Sequence, residues 1–280
     1  QLMDPTDEST AEIFPAYLND RSYLVATPEG DTLRTSPIIP ADENMMHIRT
    51  VGRVSADGRL SAETELQFDG INDNAYRGYF ASLKPQERVR FLEGALKRTA
   101  PDAVIDEIVI RPENMMDSGE PLSAVFRWQA GHMLIPGRET AMLPVPRIGL
   151  SLGLANFIIG RTGLRERKYP LLTEIACGVE EDIRLELPDE LGAPLEMPEY
   201  EAAVEGAVDW EPACGVEEGA LHASSRFALN QTEYSPEQYL ALKEMLKTIE
   251  RDLRKKPVFA MPPDQALEPG SRILEARVAY

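Results

Sequence analysis

Leu60-Ser61-Ala62-Glu63-Thr64-Glu65-Leu66-Gln67-Phe68-Asp69 is the stretch that decides the fold. Its odd and even positions separate into two rows. Leu60, Ala62, Thr64, Leu66 and Phe68 face a core, and Ser61, Glu63, Glu65, Gln67 and Asp69 face water, the period of two that a half-buried strand requires. Upstream, His47 to Val54 leads into Ser55-Ala56-Asp57-Gly58, a turn sequence, so the two runs predict a hairpin. Downstream, Leu122, Ala124, Phe126, Trp128 and Ala130 alternate against Arg127 and Gln129, and Ile183, Leu185 and Leu187 against Arg184 and Glu186. Val104 to Ile110 reads as a further strand, and Arg21 to Ser36 as a smaller hairpin turning at Pro28-Glu29-Gly30-Asp31. Ala202 to Trp210 and Ala220 to Leu229 read as paired strands about a turn at Cys214-Gly215.

Two helices interrupt this pattern. One has Pro85 in its first turn and Val89, Leu92, Ala95 and Leu96 on one face. The other opens at Ser235-Pro236-Glu237-Gln238, carries the stripe Tyr239, Leu242, Leu246, Ile249 and Leu253, and ends among Arg251, Arg254, Lys255 and Lys256 before Pro257. The expected fold is therefore α+β, mainly antiparallel β with β-sandwich character, with two main helices packed on the sheets. Residues 131–170, rich in Gly and Pro, give no firm assignment.

Composition narrows the class of partner. A net charge of −18 over 280 residues repels phosphate backbones and anionic headgroups, so nucleic acid and lipid surfaces are poor partners. The longest apolar run, Ile148 to Gly160, falls short of the ~20 residues a spanning helix needs. It reads as buried chain, and no membrane insertion is expected. Residues 1–20 contain no apolar signal core, and the chain opens on Gln1, so the expectation is a piece of a longer protein.

Few residues offer chemistry. No glycine-rich phosphate loop follows a strand, and no cofactor is expected. His47, His132 and His222 lie far apart with no metal-ligand spacing, and each reads as an ordinary strand or loop residue. Asp69-Gly70-Ile71-Asn72-Asp73-Asn74 offers oxygen atoms without calcium-loop spacing, and reads as a turn. The two cysteines sit in a repeated hexapeptide, Ala176-Cys177-Gly178-Val179-Glu180-Glu181 and Ala213-Cys214-Gly215-Val216-Glu217-Glu218. The sequence leaves open a Cys177–Cys214 disulfide, should their strands pair, or two separate thiols. A cysteine enzyme using Cys177 or Cys214 with His222 is an alternative, against which the acidic neighbours raise the thiol pKa. A ligand- or carbohydrate-binding β module, stacking sugars on Trp128 or Trp210, is another, although Trp128 falls in an inward row.

Leu2-Met3-Asp4-Pro5-Thr6 resembles the strand end that carries the aspartate of transglutaminase-like cysteine enzymes, in which cysteine, histidine and aspartate follow in that chain order. Arg21-Ser22-Tyr23-Leu24-Val25, Thr35-Ser36-Pro37, Arg167-Lys168-Tyr169-Pro170, Ile183-Arg184-Leu185-Glu186-Leu187-Pro188 and Ser235-Pro236-Glu237-Gln238-Tyr239 are similar to the segment after that core in a group of bacterial envelope proteins. In that group a domain of unknown function precedes the core and a β-rich region follows it. The resemblance implies that residues 1–40 are the end of a transglutaminase-like core and its connector. Residues 41–165 would then be a β-rich α+β domain, and 166–280 a second β-rich domain with the C-terminal helix. It implies a periplasmic or extracellular location, and as partners the upstream core and a protein or envelope ligand. Asp4 would be the third triad residue, orphaned here because every Cys and His follows it. The chain alone would be a non-catalytic accessory region. Thiol acyl transfer or peptide hydrolysis would belong to the core.

Overall fold

The hairpin read from residues 47–69 forms as strands β1 (Met45–Val54) and β2 (Leu60–Phe68), paired antiparallel from Met46↔Phe68 to Val54↔Leu60. Gly58 closes the turn at φ 84°, the left-handed region that glycine enters without a Cβ penalty. A computed structural model gives this architecture and describes residues 6, 7, 10, 12, 14–203 and 206–261. Asp4 lies outside the described residues.

Helices α1 (Ile71–Ser82) and α2 (Pro85–Leu96) follow β2, then strands β3 (Val104–Arg111) and β4 (Ser123–Ala130). After a largely irregular stretch containing the short helix α3 (Ala155–Ile159) come β5 (Cys177–Glu186), β6 (Val208–Glu217), β7 (Ala220–Leu229) and α4 (Pro236–Asp252). The seven strands make one sheet in the order β6-β7-β5-β1-β2-β4-β3. Every neighbouring pair is antiparallel except β5 and β1, which run parallel with Glu180 beside His47 and Asp182 beside Arg49. That one parallel seam joins strands from the two segments expected as separate domains. The sheet runs unbroken across the boundary expected near residue 165, because β5 completes its hydrogen bonding on β1.

One face of the sheet is covered and the other is open. Ile48, Leu66, Phe126, Trp128, Ile183 and Leu221 share a core with Tyr76, Phe80, Leu92 and Leu96 of α1 and α2. Ala141 and Phe259, from a four-stranded sheet of short strands (Pro194–Glu196, Val258–Ala260, Thr140–Met142 and Ile135–Pro136), enter the same core and give it its sandwich-like second layer. Tyr239, Leu242 and Ile249 of α4 form a second core with Trp210, Phe227 and Leu229. The N-terminus of α4 is built as its sequence predicts: the Ser235 hydroxyl accepts from the Gln238 N–H, and the Gln238 side chain accepts from the Ser235 N–H.

Helix α1 and the β6–β7 turn depart from the sequence reading. Residues 71–82 carry no clean apolar stripe, and the helix is started by a tertiary contact instead, Asn44 Oδ1 accepting from the Ile71 N–H at 2.9 Å. Gly70, at φ 53°, permits this approach, since a Cβ there would collide with Asn44 Oδ1 and the Glu43 carbonyl. Cys214-Gly215 is not a turn but lies inside β6. The reversal comes at Glu218-Gly219, both at positive φ (49° and 74°), the backbone that a two-residue hairpin turn demands.

Candidate functional site

Alternation along the seven strands sends one set of polar side chains to the open face, and pairing register arranges them in rows. Across β6-β7-β5-β1 runs Glu211–Arg226–Glu180–His47, the next row is Ala213–Ser224–Asp182–Arg49, and the next is Gly215–His222–Arg184–Val51. Opposite charges on neighbouring strands attract, and this is the ordinary way for a solvated sheet face to hold its register. Arg226 is held by Asp42 at 2.5 Å, Glu180 at 3.2 Å and Asp209 at 3.4 Å. Arg127 is held by Glu63 at 2.9 Å and Glu107 at 3.0 Å, and Arg53 by Glu186 at 2.7 Å. The carboxylates beside Arg127 push its guanidinium pKa further up; partial burial works the other way on Arg226, and the surrounding carboxylates outweigh it and raise its pKa as well.

His47 sits between two acids, with Nε2 3.0 Å from Asp69 and Nδ1 3.1 Å from Glu180. His132 pairs through Nδ1 with Asp102 at 2.7 Å, on an exposed loop beyond β4. Asp102 sits below its ordinary carboxylate value: its slight burial works the other way, and the bonds from His132 and the Gly131 N–H outweigh it. Among the described residues no three His, Cys, Asp or Glu side chains are grouped to hold a metal ion. The oxygen-rich 69–74 stretch is otherwise engaged, the Asp73 carboxylate accepting from Arg77 at 2.6 and 2.9 Å and from the Leu122 N–H at 2.6 Å.

The cysteines occupy the other face. Cys177 is level with Leu229 and Cys214 with Ala223, so β7 lies between their strands and six residues of β7 separate their levels. That is a lateral gap of roughly 10 Å and an axial one of roughly 20 Å, against a Cα limit near ~7 Å for a disulfide. The Cys177–Cys214 bond left open by the sequence is therefore excluded, and both thiols are free. Burial pushes the Cys177 thiol up to about 12. Burial also raises Cys214, partly offset by Arg147. Cys214 and His222 sit on neighbouring strands but project to opposite faces, because Gly215, not Cys214, is the partner of His222. The Cys214–His222 pairing needed for a cysteine nucleophile is thus broken by the pleat itself.

Glu181, also on the covered face, is an acid the sequence did not single out. It is 2 % exposed and accepts from the N–H groups of Ile148 at 2.6 Å and Gly149 at 3.1 Å, fastening the irregular 147–149 loop to β5. Burial raises its pKa in spite of those bonds and the nearby Arg147. Trp128 and Trp210, offered by the sequence as a stacking platform, are each 1 % exposed, with their indole N–H groups bonded inside to Thr64 and Asp252.

Large apolar side chains are left in water at many points of the chain, Leu24, Leu33 and Leu195 among them, and four fall within residues 157–172. Phe157 is 64 %, Leu164 57 %, Tyr169 69 % and Leu172 56 % exposed. The N-terminal connector is tied beside this segment by Arg21–Glu174 at 3.0 Å. Among the described residues no helix is long and apolar enough to cross a membrane.

No protein-family profile matches the chain, and no curated protein matches it. Among solved structures, a candidate protease from Parabacteroides distasonis ATCC 8503 is similar at a TM-score of 0.36 and 11 % identity, over 44 % of this chain and 24 % of that one. The chain thus spans about a quarter of that protein's length, and the likeness is too slight to assign fold or function.

Proposed function

We propose that the chain is a non-catalytic accessory region of a bacterial transglutaminase-like protein, following the catalytic core and docking on it. The observation that carries the docking is the exposure of Phe157, Leu164, Tyr169 and Leu172 in one segment beside the connector. Large apolar side chains gathered on a surface mark contact sites, whereas scattered ones need no explanation. The similarity of residues 2–6 to the aspartate-bearing strand end of a transglutaminase-like core, and of the 21–25 and 167–170 motifs to the segment after it, supplies the partner. The pleat supports the non-catalytic half of the reading, since it parts the thiols from His47 and His222.

The test is a calorimetric titration of residues 1–280 with the protein segment encoded immediately upstream, expressed separately. Binding in the micromolar range, weakened at least about tenfold by Phe157→Asp with Tyr169→Asp, is expected. An upstream segment without a cysteine and a histidine, or no binding at all, would overturn the reading.

A further inference from the structure

On the open face, between β6, β7, β5 and β1, lies a groove of about 450 Å³ lined by Arg49, Asp182, Arg184, His222, Ser224 and Gly215 among others. Its charges are left unspent. Arg53, Arg127 and Arg226 on the same face are each clamped by carboxylates. Arg49 carries no hydrogen bond or ion pair among the described residues, although register places it directly beside Asp182 on one side and Glu65 on the other. Asp182 and His222 likewise have no side-chain partner among the described residues. Arg184 has only a 3.3 Å contact to Glu186, whose other oxygen is already committed to Arg53 at 2.7 and 2.9 Å. Arg49 and Arg184 stand one strand apart and two residues along, about 8 Å between Cα atoms, close enough for both planar forks to converge on one ligand group. At the far edge of the groove, on β6, the surface is bare: a Cβ added at Gly215 would meet nothing within 4 Å.

We propose that this groove binds a small zwitterion of the amino-acid or dipeptide class. Its carboxylate lies against Arg49 and Arg184, and its ammonium against Asp182. Guanidinium recognises carboxylate bidentately, which accounts for two arginines in one concavity. The acid between them calls for a cationic or strongly donating group on the same ligand. A zwitterion also meets the long-range field. A net charge of −18 opposes the approach of a free anion, but exerts no net force on a neutral ligand. The site is independent of the docking segment proposed above.

The test is a titration of the full chain with dialanine, followed by amide chemical shifts, beside N-acetyl-dialanine and dialanine amide. Dialanine is expected to bind at about 1 mM, a range suited to so few atoms, and to shift the groove strands. Losing either end charge, or Arg49→Gln, is expected to weaken binding at least about tenfold, the scale of one charge-assisted contact. Arg127→Gln, on the same face outside the groove, is expected to change nothing. The proposal is overturned if dialanine produces no shifts, if dialanine amide binds as well as dialanine, or if the folded Arg49→Gln chain binds as well as the unsubstituted one.

Discussion

Arg77→Ala is expected to lower the stability of the fold by about 3–5 kcal/mol, the cost of breaking a buried ion pair by removing one partner. The Arg77 side chain is fully buried in α1, which a charged residue tolerates only when every donor is used. Its Nε and one terminal nitrogen grip Asp73 one turn earlier, at 2.6 and 2.9 Å. The terminal nitrogens also donate to the carbonyls of Met115 at 3.3 Å, Asp117 at 2.8 Å and Glu120 at 2.8 Å. Asp73 in turn accepts from the Leu122 N–H at 2.6 Å. The pair therefore staples the loop before β4 to α1, and alanine strands an acid and three carbonyls without their donor. Urea unfolding measures the loss as a lower midpoint at nearly unchanged slope. The double variant Asp73→Leu, Arg77→Leu is expected to cost less than Arg77→Ala, since it removes the uncompensated charge as well. A loss under about 1 kcal/mol for Arg77→Ala would show that water reaches the pair.

Trp128→Ala is expected to cost a similar amount, about 3–5 kcal/mol, through a different cause. Trp128 lies in β4 at the centre of the larger core, in the row with Phe126 and Ala124, and opposite Ala62 of β2. Its indole N–H donates to Thr64 Oγ1 at 2.9 Å, and Thr64 exchanges a 2.8 Å bond with Thr50. Two threonines are thereby accommodated inside a sheet core, which unpaired hydroxyls would not permit. Alanine opens a cavity that the flanking strands cannot close, because their spacing is fixed by the ladder. Trp128→Phe is expected to lose less, about 1–2 kcal/mol, comprising the hydrogen bond and part of the volume. Thermal unfolding of the two variants, followed by the remaining Trp210 fluorescence, separates these magnitudes. Equal losses would place the whole effect on the hydrogen bond.

Where one residue's partners are its sequence neighbours, the fold was legible in advance. The rows of Leu60–Phe68 and Leu122–Ala130 needed only the period of two, and the Ser235 to Gln238 box needed only three residues of reach. Helix α1 was not legible, because Asn44, 27 residues upstream, supplies the bond that starts it. The parallel β5–β1 seam was likewise hidden: nothing in either strand names the other, and without it the chain divides near residue 165. The Glu218-Gly219 reversal was masked by a nearer glycine, Gly215, whose function is an open surface and not a turn. For the groove, the sequence placed Arg184 and Glu186 outward, but it could not bring Arg49 and His222 beside them. That convergence depends on sheet order, to which local pattern is blind.

The central structural claim is that residues on both sides of 165 unfold as one sheet with a covered and an open face, and native-state hydrogen exchange tests it most directly. The account predicts that amides in β1 and β5, and in the neighbouring β2 and β7, exchange only through global opening and share one free energy. Exchange in β5, β6 and β7 at a distinctly lower free energy than in β1, β2 and β4 would contradict it, and would restore a boundary between two independent units.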